Sequence, residues 1–216
     1  MARKKYQGEF KDKDRSMQKL LDAVGTIIRT QGYTRLSALN ISRTAGLSRR
    51  LIDFYFGNTQ KLIEKYVRTQ DYYVVASDAA KQLLERAEKV GSRELLLSLL
   101  HNQLDHFFQN EEMQKIILWQ ISEKTQIMFE VAETRERFGD LFFEIADKEI
   151  GNSNVDLRAV AGLLVAGIYY MVLHAKANDS LFCQIDVNSE EGLTRIKNAI
   201  SAILVDTYRR AEGARI

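Results

Sequence analysis

The chain has 216 residues, 45% of them hydrophobic, with no proline, one cysteine and a formal net charge of +2. That size and apolar content suffice for a sizeable core, and a single cysteine excludes an intrachain disulfide framework. The charge is uneven: residues 1–70 carry 15 Lys and Arg against 6 Asp and Glu, and the remainder carries 16 against 23. A basic front on an acidic body points to a polyanion at one end, although a solvated basic surface gives the same count.

The expected fold class is all-α, since proline is absent and good helix formers abound. The first helix is expected from Asp14 to Thr30, because Met17, Leu20, Leu21, Val24, Ile27 and Ile28 recur at three-and-four spacing. Gly32 is placed to close it in a left-handed cap. Ser37 is placed to cap a second, short helix with Ile41 and Ala45 inward, and Gly46 permits the turn that ends it. Ser48 is placed to cap a third helix, with Ile52 and Phe56 on its inner face. Gly57 and Asn58 end that helix and open a fourth, expected to start at Thr59 and continue towards Val90.

Beyond Gly91 and Ser92 a helix should bury Leu95, Leu96, Leu99, Leu100, Leu104 and Phe107. Asn110 opens another, which contains Trp119, and a helix around 131–149 carries Phe138, Leu141, Phe142 and Ile145 before Gly151. Ser153 with Asp156 fits a capping box ahead of AVAGLLVAGIYYMVL, residues 159–173. That apolar run is short for a bilayer span and suits a helix buried on most sides. Residues 178–188 read as a loop, and Ser189 caps a last amphipathic helix ending near Arg210. About nine helices result, and MARKKYQGEF shows no apolar leader, so a cytoplasmic protein without a membrane role is expected.

Residues 38–58, ALNISRTAGLSRRLIDFYFGN, combine a short helix, a glycine turn and a second helix, which is a helix-turn-helix pattern. In that geometry the second helix enters the major groove of double-stranded DNA, with Arg49 and Arg50 facing base edges. The planar guanidinium fork matches the O6 and N7 acceptors of guanine. Helix-start amides are available to phosphates. Two arginines on an exposed turn are also commonly just solvated, so the pattern alone leaves both readings open.

The stretch QGYTRLSALNISRTAGLSRRLIDFYFGNTQKL, residues 31–62, resembles the DNA-binding domain of the tetracycline-repressor (TetR) family of bacterial regulators. The resemblance rests on Gly32 and Tyr33, on Ser37 and Ile41, on the Ala45-Gly46-Leu47-Ser48 turn, on Phe54, Tyr55 and Phe56, and on Asn58. It implies an N-terminal three-helix DNA-binding domain, residues 1–66, and a helical effector-binding and dimerisation bundle, residues 67–216. The DNA-contacting set it implies is Ser37, Ser48, Arg49, Arg50, Asp53, Phe54, Tyr55 and Lys61. Three positions depart from the family pattern. Leu51, Ile52 and Asp53 replace a usual threonine, leucine and tyrosine; Thr59 replaces a usual lysine, with Lys61 nearby; and Arg50 replaces a common glycine. An aspartate where a phosphate-contacting tyrosine is usual calls for a partner, in Arg49, Arg50 or a cytosine N4.

In the body, Ala159, Gly162, Ala166 and Gly167 permit close helix approach, and the last helix offers Ile196, Ala199, Ile200, Ile203 and Leu204. Helices near 155–176 and 190–210 are therefore expected to form a homodimer interface, or else to pack within the monomer. His101, His106, Trp119, Gln120, Tyr169 and Tyr170 are candidates to line a cavity for a small apolar or amphipathic effector, though such residues are more often core or surface groups. The histidines are five apart with no completing HxxxH or CxxC, Gly162 and Gly167 follow no strand, and no nucleophile pairs with a base. No metal, no cofactor and no enzymatic activity are expected. The function expected is a ligand-responsive repressor on a near-palindromic operator; the alternative is a helical ligand-binding or interaction protein that has lost DNA binding.

Overall fold

Nine α-helices follow from this punctuation, all among residues 6–72, 74, 89–151 and 153–213, which the computed structural model describes. They are α1 (Tyr6–Gln31), α2 (Ala38–Ala45), α3 (Arg50–Phe56), α4 (Thr59–Gln70), α5 (Ser92–Gln109), α6 (Glu111–Ser122), α7 (Gln126–Ile150), α8 (Leu157–Asn178) and α9 (Glu190–Gly213), with a 3-10 turn at Tyr33–Arg35. The expected continuation of the fourth helix towards Val90 falls largely on residues 73 and 75–88, outside the described residues.

The helices fall into two compact units. One comprises Met1–Asp71 with Glu111–Val131, the other Tyr72–Asn110 with Ala132–Ile216. The first therefore reaches past residue 66 and also takes in α6. Within it α1 packs on α2, α4 and α6, and α3 packs on α4. Leu20, Val24, Ile27 and Ile28 of α1 are buried as their spacing predicts, with Ile41, Ile52, Phe56 and Leu62 from α2, α3 and α4. Helix α1 begins at Tyr6 rather than Asp14, because residues ahead of the apolar stripe extend a helix without belonging to its face.

Caps account for most of the boundaries here. The Ser37 side chain accepts from the Asn40 amide at 3.2 Å, and Asn58 accepts from the Lys61 amide at 2.8 Å. Gly46 sits at φ 65°, ψ 31°, where a side chain would be strained, and lets the Leu47 amide reach back to the Ser42 carbonyl at 3.0 Å. Two caps differ from expectation. Gly32 has positive φ but an extended ψ of 162°, so it turns the chain without forming a left-handed cap. Ser48 makes no side-chain cap: α3 opens as a tight turn in which the Leu51 amide donates to the Ser48 carbonyl at 3.0 Å. Ala45, expected inward, is half-buried.

In the second unit α5 packs on α8 and α9. All six predicted apolar residues of α5 are buried, together with Gln103. The start of α5 is fastened by Glu149 of α7, whose carboxylate accepts from the Ser92 amide and hydroxyl, and Ser92 also shares a 2.7 Å hydrogen bond with the Tyr208 hydroxyl of α9. A carboxylate at a helix start also complements the exposed amides there. Helix α7 starts at Gln126, earlier than expected, and its inner face is rotated: Phe138, Phe142 and Ala146 are buried, Ile145 is half-buried and Leu141 is exposed.

Helix α8 is capped by Asp156, whose side chain accepts from the Ala159 amide at 2.9 Å, and the Ser153 hydroxyl has no hydrogen-bond partner. The capping box is therefore a single Asp cap, because Ser153 lies too far ahead of the first helical residue. With 22 residues, α8 is long and apolar enough to cross a bilayer by length and composition alone, which the 15-residue run did not suggest. It is not buried on most sides either. Ala161, Ile168 and Val172 face inward, whereas Leu163 is 75% exposed and Tyr170 57%. The loop to α9 holds a tight antiparallel turn, Phe182 pairing with Ile185 and both Cys183 and Gln184 at positive φ. Ser189 then caps α9 as expected, accepting from the Gly192 amide at 3.0 Å.

Burial pushes the Tyr208 phenol up to about 12, against a lowering by its Ser92 hydrogen bond, and burial likewise raises Tyr66 of α4 to about 12. Both states keep these protons below the ordinary tyrosine value of about 10. Above it the unfolded chain ionises while the folded one does not, so stability present at neutral pH is lost between about pH 10 and 12. The urea midpoint should fall steeply across that window, and the double variant Tyr66→Phe, Tyr208→Phe should show a shallower fall.

Candidate nucleic-acid interface and effector cavity

Two helices of eight and seven residues are too short to hold a shape alone, so α2 and α3 take theirs from the scaffold. Ile41 of α2 and Ile52 and Phe56 of α3 are the anchors, and all three are buried. With that side fixed, α3 turns Arg49, Arg50, Asp53 and Phe54 outward, all exposed, while Tyr55 is half-buried with its ring edge-on to Phe54 at 5.2 Å. Ser37 and Ser48 are exposed at the two ends of α2 and its turn, and Lys61 is exposed in the first turn of α4. The eight residues expected to meet DNA thus come from one continuous segment of the first unit. Asp53 is exposed and makes no ion pair with Arg49 or Arg50.

The six candidate effector residues are dispersed. Trp119 belongs to the first unit, where its ring stacks on Tyr33 at 5.1 Å and 6°, and its indole nitrogen donates to Glu123. Tyr33 also shares a 2.9 Å hydrogen bond with Ser122, and Arg29 of α1 is paired with Glu112. These contacts hold α6 against the end of α1. Gln120 is half-buried on the same helix. His101 meets the Lys197 carbonyl at 3.1 Å and Ser201 at 3.3 Å, joining α5 to α9 beside the Lys197–Asp105 pair. His106 lies against Tyr72 and Asn110, and Tyr170 packs on His174 and Phe182 at the surface.

Of the six, Tyr169 lines the apolar cavity found among the described residues. This space, about 460 Å³, lies in the second unit among α5, α7 and α8. Leu96, Leu99, Phe138, Phe142, Phe143, Ala161 and Val165 give it an apolar wall, and Arg135, Glu136, Asp140 and Arg158 add charge of both signs. Arg158 donates to both oxygens of Asp147 at 2.9 and 2.8 Å, and its guanidinium lies 4.7 Å from the centre of the Phe143 ring. The hydrogen-bonded guanidinium holds the Asp147 carboxyl below the usual carboxylate range. Sequence reasoning passed over these lining residues because apolar residues beside a cavity have the spacing of core residues. Among the described residues no three His, Cys, Asp or Glu side chains cluster as a metal site.

No known family profile and no curated protein matches the chain. Solved structures do. FadR of Bacillus subtilis, in complex with stearoyl-CoA, is 16% identical over 87% of this chain and 97% of its own, with a TM-score of 0.56. NalD, the secondary repressor of the MexAB-OprM multidrug efflux pump in Pseudomonas aeruginosa, is 19% identical over 87% and 96%, with a TM-score of 0.57. A TetR-like transcriptional regulator from Rhodococcus sp. RHA1 is 17% identical over 86% and 93%, with a TM-score of 0.56. The chain has the fold of these regulators over nearly their whole length.

The Trp119 ring is buried against Tyr33, so its removal acts on stability rather than on the cavity. Trp119→Ala should lower unfolding free energy by about 3 kcal/mol, as large aromatic truncations in cores do. Urea denaturation followed by circular dichroism measures it.

Proposed function

We propose that the chain is a TetR-family transcriptional regulator, a ligand-responsive repressor that binds a near-palindromic operator as a homodimer through α3. The observation that carries this reading is the exposure of Arg49 and Arg50 at the start of a helix whose inner face is anchored by Ile52 and Phe56. Such a helix can enter a major groove without disturbing its own packing. The basic balance of residues 1–70 adds long-range attraction to a polyanion. The fold shared with NalD, a repressor, and FadR, a transcriptional regulator, supports the same assignment.

Dimerisation is proposed through α8 and α9. Support comes from apolar surface that the monomer leaves uncovered: Leu163, Ala166 and Tyr170 on α8, and Ala199 and Ile203 on α9. Ile196, Ile200 and Leu204 are buried within the chain and anchor α9 from the other side. Apolar stripes left uncovered on two helices fit an isologous four-helix contact. The effector is proposed to occupy the cavity beside Tyr169, whose volume and largely apolar wall suit a small apolar or amphipathic molecule. The stearoyl-CoA of the FadR complex is likewise amphipathic.

One observation favours the second reading, a ligand-binding protein without DNA function. The exposed Asp53 carboxylate stands where the DNA backbone would repel it. Selection of randomised duplex DNA by the purified protein decides between them. A dimeric regulator should enrich an inverted repeat, and its affinity should fall by orders of magnitude between about 50 and 200 mM salt as counterions are released. Enrichment of no sequence, or a monomer by light scattering at micromolar concentration with and without the enriched duplex, would overturn the proposal.

The cavity reading has its own check. Val165→Phe places a ring in the space beside Tyr169. It should abolish binding of an apolar fluorescent probe such as a naphthalene sulfonate while leaving DNA affinity unchanged. Undiminished probe binding would move the effector site elsewhere.

A further inference from the structure

Phe54, at 77%, is the most exposed large hydrophobic side chain among the described residues, and it sits beside an exposed carboxylate on the outward side of α3. Neither residue serves the fold, since Ile52 and Phe56 hold α3 from the other side. At about 100° per residue, Arg49, Asp53, Arg50 and Phe54 lie in that angular order over an arc of about 140°. That row contains two donors, one acceptor and one apolar ring. Sequence-independent grip on phosphates would be served by cations throughout, and an acceptor and a ring weaken it.

Base edges call for this mixture. In the major groove guanine offers two acceptors, cytosine offers its N4 amino donor, and thymine alone offers a methyl group. Resting on the DNA-binding role proposed above, we infer that Asp53 and Phe54 are specificity-determining residues: Asp53 accepts a hydrogen bond from the N4 amino group of a cytosine, and Phe54 packs on the C5 methyl of a thymine. Arg49, one turn before Asp53, and Arg50, one turn before Phe54, then take guanine acceptors in the same half-site. A guanine and the cytosine paired with it present acceptors and a donor side by side, which is the arrangement that Arg49 and Asp53 mirror at i and i+4. The carboxylate, free of any ion pair in the unbound protein, is available for that bond, and contact with the base edge draws it away from the phosphates.

The experiment uses the full chain and the duplex enriched from randomised DNA, at one fixed salt concentration. Each thymine of a half-site is replaced in turn by deoxyuridine, which removes only the methyl group. One such replacement should weaken wild-type binding about fourfold, the ~0.8 kcal/mol of a single buried methyl converted at 1.4 kcal/mol per tenfold. Phe54→Ala should bind the two duplexes alike, whereas Phe54→Leu should retain part of the difference. At one cytosine the wild type should prefer C over T by about tenfold. Asp53→Asn should lose the part of that preference that Arg49, reading the paired guanine, does not carry, while the preference at guanines elsewhere in the half-site stays. Unchanged circular dichroism and thermal midpoints for these variants show that the fold is intact, as expected for exposed positions.

Three outcomes overturn the inference while leaving the regulator reading in place. One is a preferred operator that is indifferent to every deoxyuridine replacement or lacks thymine altogether. Another is a Phe54→Ala variant as sensitive to the methyl group as the wild type. The third is an Asp53→Asn variant that binds the operator and scrambled DNA equally more tightly, which is the signature of plain repulsion. A wild type that prefers no sequence overturns both the inference and the DNA-binding role.

Discussion

The anchoring of two very short helices is the constraint on which the amino-terminal unit depends. Neither α2 nor α3 gains enough from its own hydrogen bonds to offset the cost of nucleation. Their geometry is imposed by Ile41, Ile52 and Phe56, each held in a core to which Leu20, Val24 and Leu62 also belong. Because the anchors occupy one side of α3, every residue on the other side is free of structural duty, and its identity can be set by a partner. The Gly46 turn fixes where α2 stops, and with it the direction from which α3 starts.

The same unit recruits α6, which is distant in the chain. The Tyr33–Trp119 stack, the Tyr33–Ser122 hydrogen bond and the Arg29–Glu112 pair fasten it beside the end of α1. A helix that follows α5 in sequence is thereby part of the body that carries α3. Any event that displaces α6 acts directly on the scaffold of α3, within one compact unit.

In the second unit the distribution of apolar surface has the opposite character. Helix α5 buries its apolar face completely, and its start is tied down by Glu149 and Tyr208. Helix α8 is the more apolar of the two but leaves Leu163 and Tyr170 uncovered and contributes Ala161 and Val165 to the wall of a cavity. One apolar helix thus has one side on the core, one on a cavity and one on solvent. The local sequence gives all three sides the same hydrophobic character.

Sequence by itself determined the punctuation: where helices stop, which serine or asparagine caps them, and which residues of α1, α3 and α5 face inward. These are contacts within a few residues, governed by backbone geometry and by the 3.6-residue period. It also determined the exposed chemistry of α3, because the inner residues Ile52 and Phe56 leave Arg49, Arg50, Asp53 and Phe54 only the outside. Tertiary structure decided what periodicity cannot encode. Trp119 became a stacking partner of Tyr33, and of six candidate effector residues it is Tyr169 that lines the cavity among α5, α7 and α8. Asp156 took the cap expected of Ser153, and α8 kept an open side despite its apolar composition. A hydrophobic residue at helical spacing reads the same whether it fills a core, lines a cavity or awaits a partner, since the pattern records its aversion to water and not the surface that relieves it.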